Sequence, residues 1–152
     1  MKVAVLHGPN LNLLGRREPE IYGRATLNDI NAQLQQTGRE LGAELICVQS
    51  NGEGALIDDV QRLGAEVHGF LVNAGGYSHT SVALLDALVG IGRPYVEVHL
   101  SNLMAREPFR HQSLLAGRAV GAIMGFGADS YVLGLRGLVS YLRGQVRGAA
   151  NG

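Results

Sequence analysis

Apolar positions along this chain fall in two rhythms. Residues 3–6, 45–48, 70–72, 95–98 and 120–124 are short, nearly continuous apolar runs. Runs of that length read as strands buried on both faces. Between them, apolar residues recur at helical spacing. Leu27, Ile30, Leu34 and Leu41 form one stripe; Leu56, Ile57, Val60 and Leu63 a second. Val82, Leu85 and Val89 form a third; Leu135, Leu138, Val139 and Leu142 a fourth. Thr26 is placed to cap the first helix, with Asp29 three residues on as a capping-box partner. Gly42 and Gly64 stop the first two helices. The third helix is expected to start near residues 78–80, and the last to span about 131–142. Strict alternation of strand and helix implies an α/β domain with a parallel sheet covered on both faces. With right-handed crossovers, five strands give a doubly wound, flavodoxin-like sheet of order 2-1-3-4-5. One domain over residues 1–143 is expected, followed by a Gly/Ala-rich tail, 144–152, expected to fray.

The polar residues cluster where the strands end. His7–Asn12 follows the first strand, Gln49–Asn51 the second, Asn73–Gly76 the third and His99–Asn102 the fourth. In a parallel sheet these carboxyl ends share one edge, where ligands bind. Asn10, Asn73 and His99 are therefore expected to converge. Each has an ordinary reading beside the functional one. Asn73 either donates to a carboxylate or caps the next helix. His79 lies in an expected first helical turn, where an exposed histidine has no necessary role. Asp86 pairs with a base, reaches a neighbouring chain, or is solvated. His99 is either a satisfied core histidine or a site residue. Glu97, two residues earlier, points to the same side of the strand and either orients His99 or pairs with an arginine. The backbone N–H groups of Leu100 and Ser101 can cradle an anion. Arg106 and Arg110, four apart, suit carboxylates and diols.

The loop after the first strand is unusual. It carries Asn10, Asn12, Arg16, Arg17, Glu18-Pro19 and Tyr22-Gly23. A phenol has an ordinary pKa of about 10, and a nearby cation favours its ionised form. A phenolate tuned this way can remove a carbon-bound proton; the plain alternative is a solvated surface loop.

Composition narrows the choice. The 152 residues carry 13 basic and 13 acidic side chains, so charge favours neither nucleic acid nor an anionic membrane as partner. No apolar run is long enough to span a bilayer, and no signal-peptide pattern is present. The cytosol is the simplest compartment. Cys47 is the only cysteine and reads as a core residue. There is no Walker phosphate loop, no dinucleotide-binding glycine motif and no nucleophile elbow. The histidines lack zinc-site spacing, so no metal is expected.

Read together, His7-Gly-Pro-Asn-Leu-Asn-Leu-Leu-Gly15, Arg17-Glu-Pro19, Tyr22-Gly23, Gln49-Ser-Asn51, the segment from Asn73 to Leu84, Glu97-Val-His-Leu-Ser-Asn102 and Arg106-Glu-Pro-Phe-Arg110 resemble type II 3-dehydroquinate dehydratase. The similarity is collinear from residue 2 to 142. It implies a cytoplasmic hydro-lyase of the shikimate pathway of aromatic amino-acid biosynthesis, working without cofactor, metal or lysine imine. It also implies a homododecamer built as a tetramer of trimers, with 3-dehydroquinate as the small-molecule partner. Lys2 is the only lysine, and it opens the first strand at the end away from the expected site. By resemblance, Tyr22 is the base, Arg17 stabilises the transition state and His99 is the general acid. Arg106 matches a lid arginine, and Asn10 the residue that positions a water. Asn73, Leu100 and Ser101 match the carboxylate site; His79 and Arg110 match ring-hydroxyl contacts. Asp86 matches a residue delivered from an adjacent subunit. Gly52 and Leu85 stand where many relatives have His and Arg. The loop between Gly15 and Gly23 is expected to act as a lid ordered by ligand. Three other readings share these residues: the same reaction in quinate breakdown, a non-catalytic flavodoxin-like binding module, and a hydrolase using Ser78 or Ser101 with a histidine.

Overall fold

The structure, a computed structural model, describes residues 1–16 and 18–150, with side chains described to residue 145. Five strands form one parallel sheet: β1 (Lys2–His7), β2 (Glu44–Gln49), β3 (Gly69–Asn73), β4 (Tyr95–His99) and β5 (Gly121–Met124). Their spatial order is β2-β1-β3-β4-β5, with every neighbour parallel. This is the expected doubly wound α/β sheet. Among the described residues, five α-helices accompany it: α1 (Pro19–Tyr22), α2 (Leu27–Leu41), α3 (Glu53–Gly64), α4 (Val82–Ile91) and α5 (Asp129–Ala150).

The side-chain period of two sends alternate strand residues to opposite faces. Val3, Val5, Leu71, Val96 and Val98 pack with Ile30 and Leu34 of α2 and Leu135 and Leu138 of α5. Ala4, Leu6, Phe70, Val72 and Tyr95 pack with Val60 of α3 and Leu84 and Leu88 of α4. Each fully buried leucine contributes about 1.5–3 kcal/mol from apolar burial. The same parity continues into the polar strand ends. It puts His7 and Asn73 on the α2/α5 face, and Glu97 and His99 on the α3/α4 face.

The capping box at α2 is complete: Asp29 N–H donates to Thr26 Oγ1 at 3.1 Å, and Thr26 N–H donates to Asp29 Oδ2 at 3.0 Å. Hydrogen bonds to it from the Thr26 backbone N–H first, and then from the Thr26 side chain, hold the Asp29 carboxyl below the usual carboxylate range. Two helix boundaries differ from expectation. Residues Gly75–His79 form a separate 3-10 turn, and α4 begins only at Val82. Ser81, whose Oγ accepts from Leu84 N–H at 2.9 Å, is the true cap. His79 therefore precedes the helix rather than sitting in its first turn. At the other end, α5 runs past Leu142 to Ala150, taking in most of the segment expected to fray. Residues 151–152 lie outside the described residues.

Candidate active site

A cleft of about 150 Å3 opens at the carboxyl edge of β1, β3 and β4. Asn10, Tyr22, Asn73, His79, His99, Leu100, Ser101, Arg106 and Arg110 all line it, with Leu11, Leu14 and Leu103 as apolar walls. Among the described residues, two arginines and no carboxylate face it, so it suits an anionic ligand. Close approach of the chain makes the edge compact. Gly8 N–H donates to the Asn73 carbonyl at 2.7 Å. A Cβ on Gly8 would stand 2.5 Å from the Ala74 backbone, so only glycine fits.

The β4 corner is buried and fully wired. His99 and Glu97 are 5% and 1% exposed. His99 Nε2–H donates to Glu97 Oε1 at 2.8 Å. Ser113 Oγ donates to the same oxygen at 2.5 Å, and accepts from Leu115 N–H and Ala116 N–H. Parity along β4 aligns the pair, since residues two apart share a face. With Nε2 committed to the carboxylate, Nδ1 is the nitrogen through which His99 can exchange a proton with a ligand. His79 lies nearly parallel to it, 6.4 Å between ring centres and 17° between planes. His79 Nδ1–H donates to the Gln112 carbonyl at 2.8 Å, leaving its Nε2 for the cleft.

The arginine corner is built by two short 3-10 turns, Leu103–Ala105 and Pro108–Arg110. Pro108 starts the second, so the four-residue spacing of Arg106 and Arg110 is not that of one helix; both still line the cleft. Arg106 Nη1–H donates to Ser101 Oγ at 3.3 Å, and its guanidinium carbon lies 5.3 Å from the Tyr22 ring centre. Arg110 Nε–H donates to Glu107 Oε2 at 2.8 Å. The Glu107 carboxyl is held low by hydrogen bonding to its own backbone N–H and then to Arg110.

Tyr22 ends α1, a single turn entered through Glu18 at φ 41° and left through Gly23 at φ 82°. Its ring is half-buried against the α2/α5 core. Asn10 is also left-handed, φ 69°, and its N–H donates to Asn51 Oδ1 at 3.0 Å.

Arg17 lies outside the described residues. Asp86 is exposed on α4 and is not among the residues lining this cleft. Among the described residues, Ser78 Oγ is buried with no hydrogen-bond partner, and Ser101 Oγ is held by Arg106 rather than by a histidine. Neither serine has the base that a hydrolase nucleophile needs. Among the described residues, no three of His, Cys, Asp and Glu converge as metal ligands would. No helix among them is long and apolar enough to cross a membrane. Sequence reasoning passed over Ser113 and Tyr131. Nothing around Ser113 marks it, and Tyr131 sits four residues before Leu135, so its ring reads as core.

Comparison with known proteins adds a second line of evidence. The family model described as "Dehydroquinase class II" matches residues 1–139. The 3-dehydroquinate dehydratase of Synechococcus sp. (strain CC9902) is 59% identical over 143 residues, covering 94% of this chain and 98% of that one. The 3-dehydroquinate dehydratase of Carboxydothermus hydrogenoformans is 53% identical over 152 residues, covering 100% and 99%. The crystal structure of type II dehydroquinase from Butyrivibrio crossotus aligns with a TM-score of 0.88 at 38% identity, covering 91% of this chain and 97% of that one.

Proposed function

Because this chain belongs to the class II dehydroquinase family, we propose that it converts 3-dehydroquinate to 3-dehydroshikimate and water, with Tyr22 as base and His99 as acid. The observation that carries this reading is the meeting of those two side chains, from sequence-distant elements, in one cleft.

A β-hydroxyketone loses water in two stages. The phenolate of Tyr22 takes the proton from the carbon beside the carbonyl, and the bonding pair moves into an enolate. The enolate then re-forms the ketone as the neighbouring C–O bond breaks, and hydroxide leaves with a proton from His99 Nδ1. Proton exchange with solvent afterwards resets both groups. For Nδ1 to give a proton, the ring must carry protons on both nitrogens, and the buried Glu97 carboxylate balances that charge through Nε2. Each positioned acid or base is worth typically about 10²–10⁴-fold. Enolate charge needs fixed dipoles nearby; Asn10 holds a water for that purpose. Arg106 lies over the Tyr22 ring and Arg17 joins it as the second cation. Asn73 and the Leu100 and Ser101 backbone take the substrate carboxylate, while His79 and Arg110 take ring hydroxyls. No cofactor or metal enters this scheme, and Lys2, at the far end of β1, is too remote for an imine.

The loop from Gly15 to Gly23 works as a lid that closes over substrate. Both glycines have positive φ, 87° and 82°, which gives the segment hinges at its two ends. The enzyme acts in the cytoplasm on the shikimate pathway of aromatic amino-acid biosynthesis. It assembles as a dodecamer of four trimers, in which Asp86 completes the site of a neighbouring subunit. Exposed Val82 on the same helix, together with exposed Phe109 and Phe126, supports such contacts.

The test is a direct dehydration assay on purified protein, following the ultraviolet absorbance of the enone product with and without a chelator. Activity in both arms is expected. Binding of 3-dehydroquinate with no product formed would leave a non-catalytic binding module instead.

A further inference from the structure

Behind the cleft, on the α2/α5 face, four side chains form a hydrogen-bonded chain of which the scheme above uses only Asn73. Asn73 Oδ1 accepts from Gly75 N–H at 3.2 Å. Asn73 Nδ2 stands 3.0 Å from Tyr131 Oη. Tyr131 Oη stands 2.8 Å from His7 Nδ1, and His7 Nε2 stands 2.8 Å from Asn31 Oδ1. Tyr131 and His7 are both fully buried, and Asn73 is 3% exposed.

One obligate donor sets the direction of the whole chain. A backbone N–H cannot accept, so Gly75 fixes the Asn73 oxygen toward itself. The other end of the amide is then NH2, and the Tyr131 oxygen must accept from it. The Tyr131 hydroxyl proton must therefore go to His7 Nδ1. His7 in turn carries its proton on Nε2 and gives it to Asn31 Oδ1. Every group is satisfied in that one arrangement. Any reversal leaves a buried donor facing a donor, which costs about 1–3 kcal/mol per unsatisfied group.

We propose that His7 and Tyr131 are positioning residues that lock the Asn73 amide with N–H, not C=O, toward the cleft, so that the site selects a ligand carboxylate over a carboxamide. This rests on the reading of Asn73 as part of the carboxylate site. Asn73 lines the cleft while Tyr131 and His7 do not, so both act only through Asn73. Burial keeps His7 neutral, its pKa lowered to about 4, so Nδ1 stays an acceptor through the neutral range. Burial also pushes the Tyr131 phenol up, which keeps its proton available for His7.

The test compares the reaction product with its primary carboxamide as competitive inhibitors of wild type and Tyr131→Phe. Wild type is expected to prefer the carboxylate. Loss of the hydroxyl leaves Asn73 held at one end only, and the preference is expected to fall about fivefold, the worth of one ordinary hydrogen bond. A purely structural role would lower stability without moving that ratio. A wild-type ratio near one removes the carboxylate reading and this proposal with it. A wild-type preference that survives in folded Tyr131→Phe removes this proposal alone. Should the variant fail to fold, the nitrogen-15 spectrum of the wild-type histidines decides. A neutral His7 protonated on Nε2 supports the lock, and one protonated on Nδ1 overturns it.

Discussion

His99 reaches the cleft from the end of a buried strand, whereas Tyr22 reaches it from a four-residue helix on the surface. The imidazole is fixed by Glu97, and Glu97 by Ser113, whose hydroxyl is itself held by two backbone N–H groups. The phenol stands on a segment with left-handed backbone at both ends and an arginine from another loop over its ring. An imidazole built into the sheet edge is positioned by the fold itself. A phenol on a surface turn is positioned by whatever closes that turn. The difference predicts that damage on the β4 side lowers stability and turnover together, while damage on the α1 side lowers turnover alone.

The largest effect that sharpens this contrast is His99→Ala against Tyr22→Phe. Each is expected to lower kcat by about 10²–10⁴-fold. Only His99→Ala takes one of its two donors from the buried Glu97 carboxylate, at a further cost of about 1.5–3 kcal/mol in denaturant unfolding. Equal unfolding midpoints for the two variants would break the comparison.

The next effect tests burial at the β1 end. His7 titrates near 6.5 when unfolded and about 4 when folded. Between those values the unfolded chain binds more protons, so stability falls as pH falls through that window. The loss approaches about 3 kcal/mol near pH 4 and vanishes above 6.5. Unfolding titrations of wild type and His7→Gln check it: the variant is expected to lose most of that slope.

Smaller still is Ser113→Ala. It removes one donor from Glu97, with an expected stability loss of about 1–2 kcal/mol and a modest fall in kcat. The smallest is Gly23→Ala. A Cβ there meets nothing within 4 Å, yet φ is 82°, so the strain is about 1 kcal/mol. It falls on the α1 segment, and kcat is expected to change more than the global unfolding midpoint.

The same contrast explains what the sequence made legible. Strand ends are readable because apolar runs stop abruptly, and a parallel sheet brings those stops to one edge; hence Asn10, Asn73 and His99 could be grouped without coordinates. Period two puts Glu97 and His99 on one side of the strand; that Glu97 meets His99 rather than an arginine is read from the structure. Less was visible where position depends on side-chain bonds between elements. Tyr131 has helical spacing with Leu135, so its hydroxyl carried no signal, although it bonds Asn73 and His7 at the sheet edge. The start of α4 is not legible in the sequence because Ser78, Thr80 and Ser81 are all able caps, and only the Ser81 Oγ bond to Leu84 N–H tells them apart. Asp86 lies outside the cleft of a single chain, and helical spacing alone gives its face on α4 but not what that face meets.

Which group moves the carbon-bound proton decides the mechanism. The direct measurement is exchange of that proton in deuterium oxide, read by mass spectrometry of substrate recovered from each variant. His99→Ala keeps its phenol and is expected to load deuterium well above the buffer rate while forming little product. Tyr22→Phe is expected to exchange no faster than substrate in buffer alone; exchange by Tyr22→Phe at the rate of His99→Ala would contradict the assignment of Tyr22 as the base.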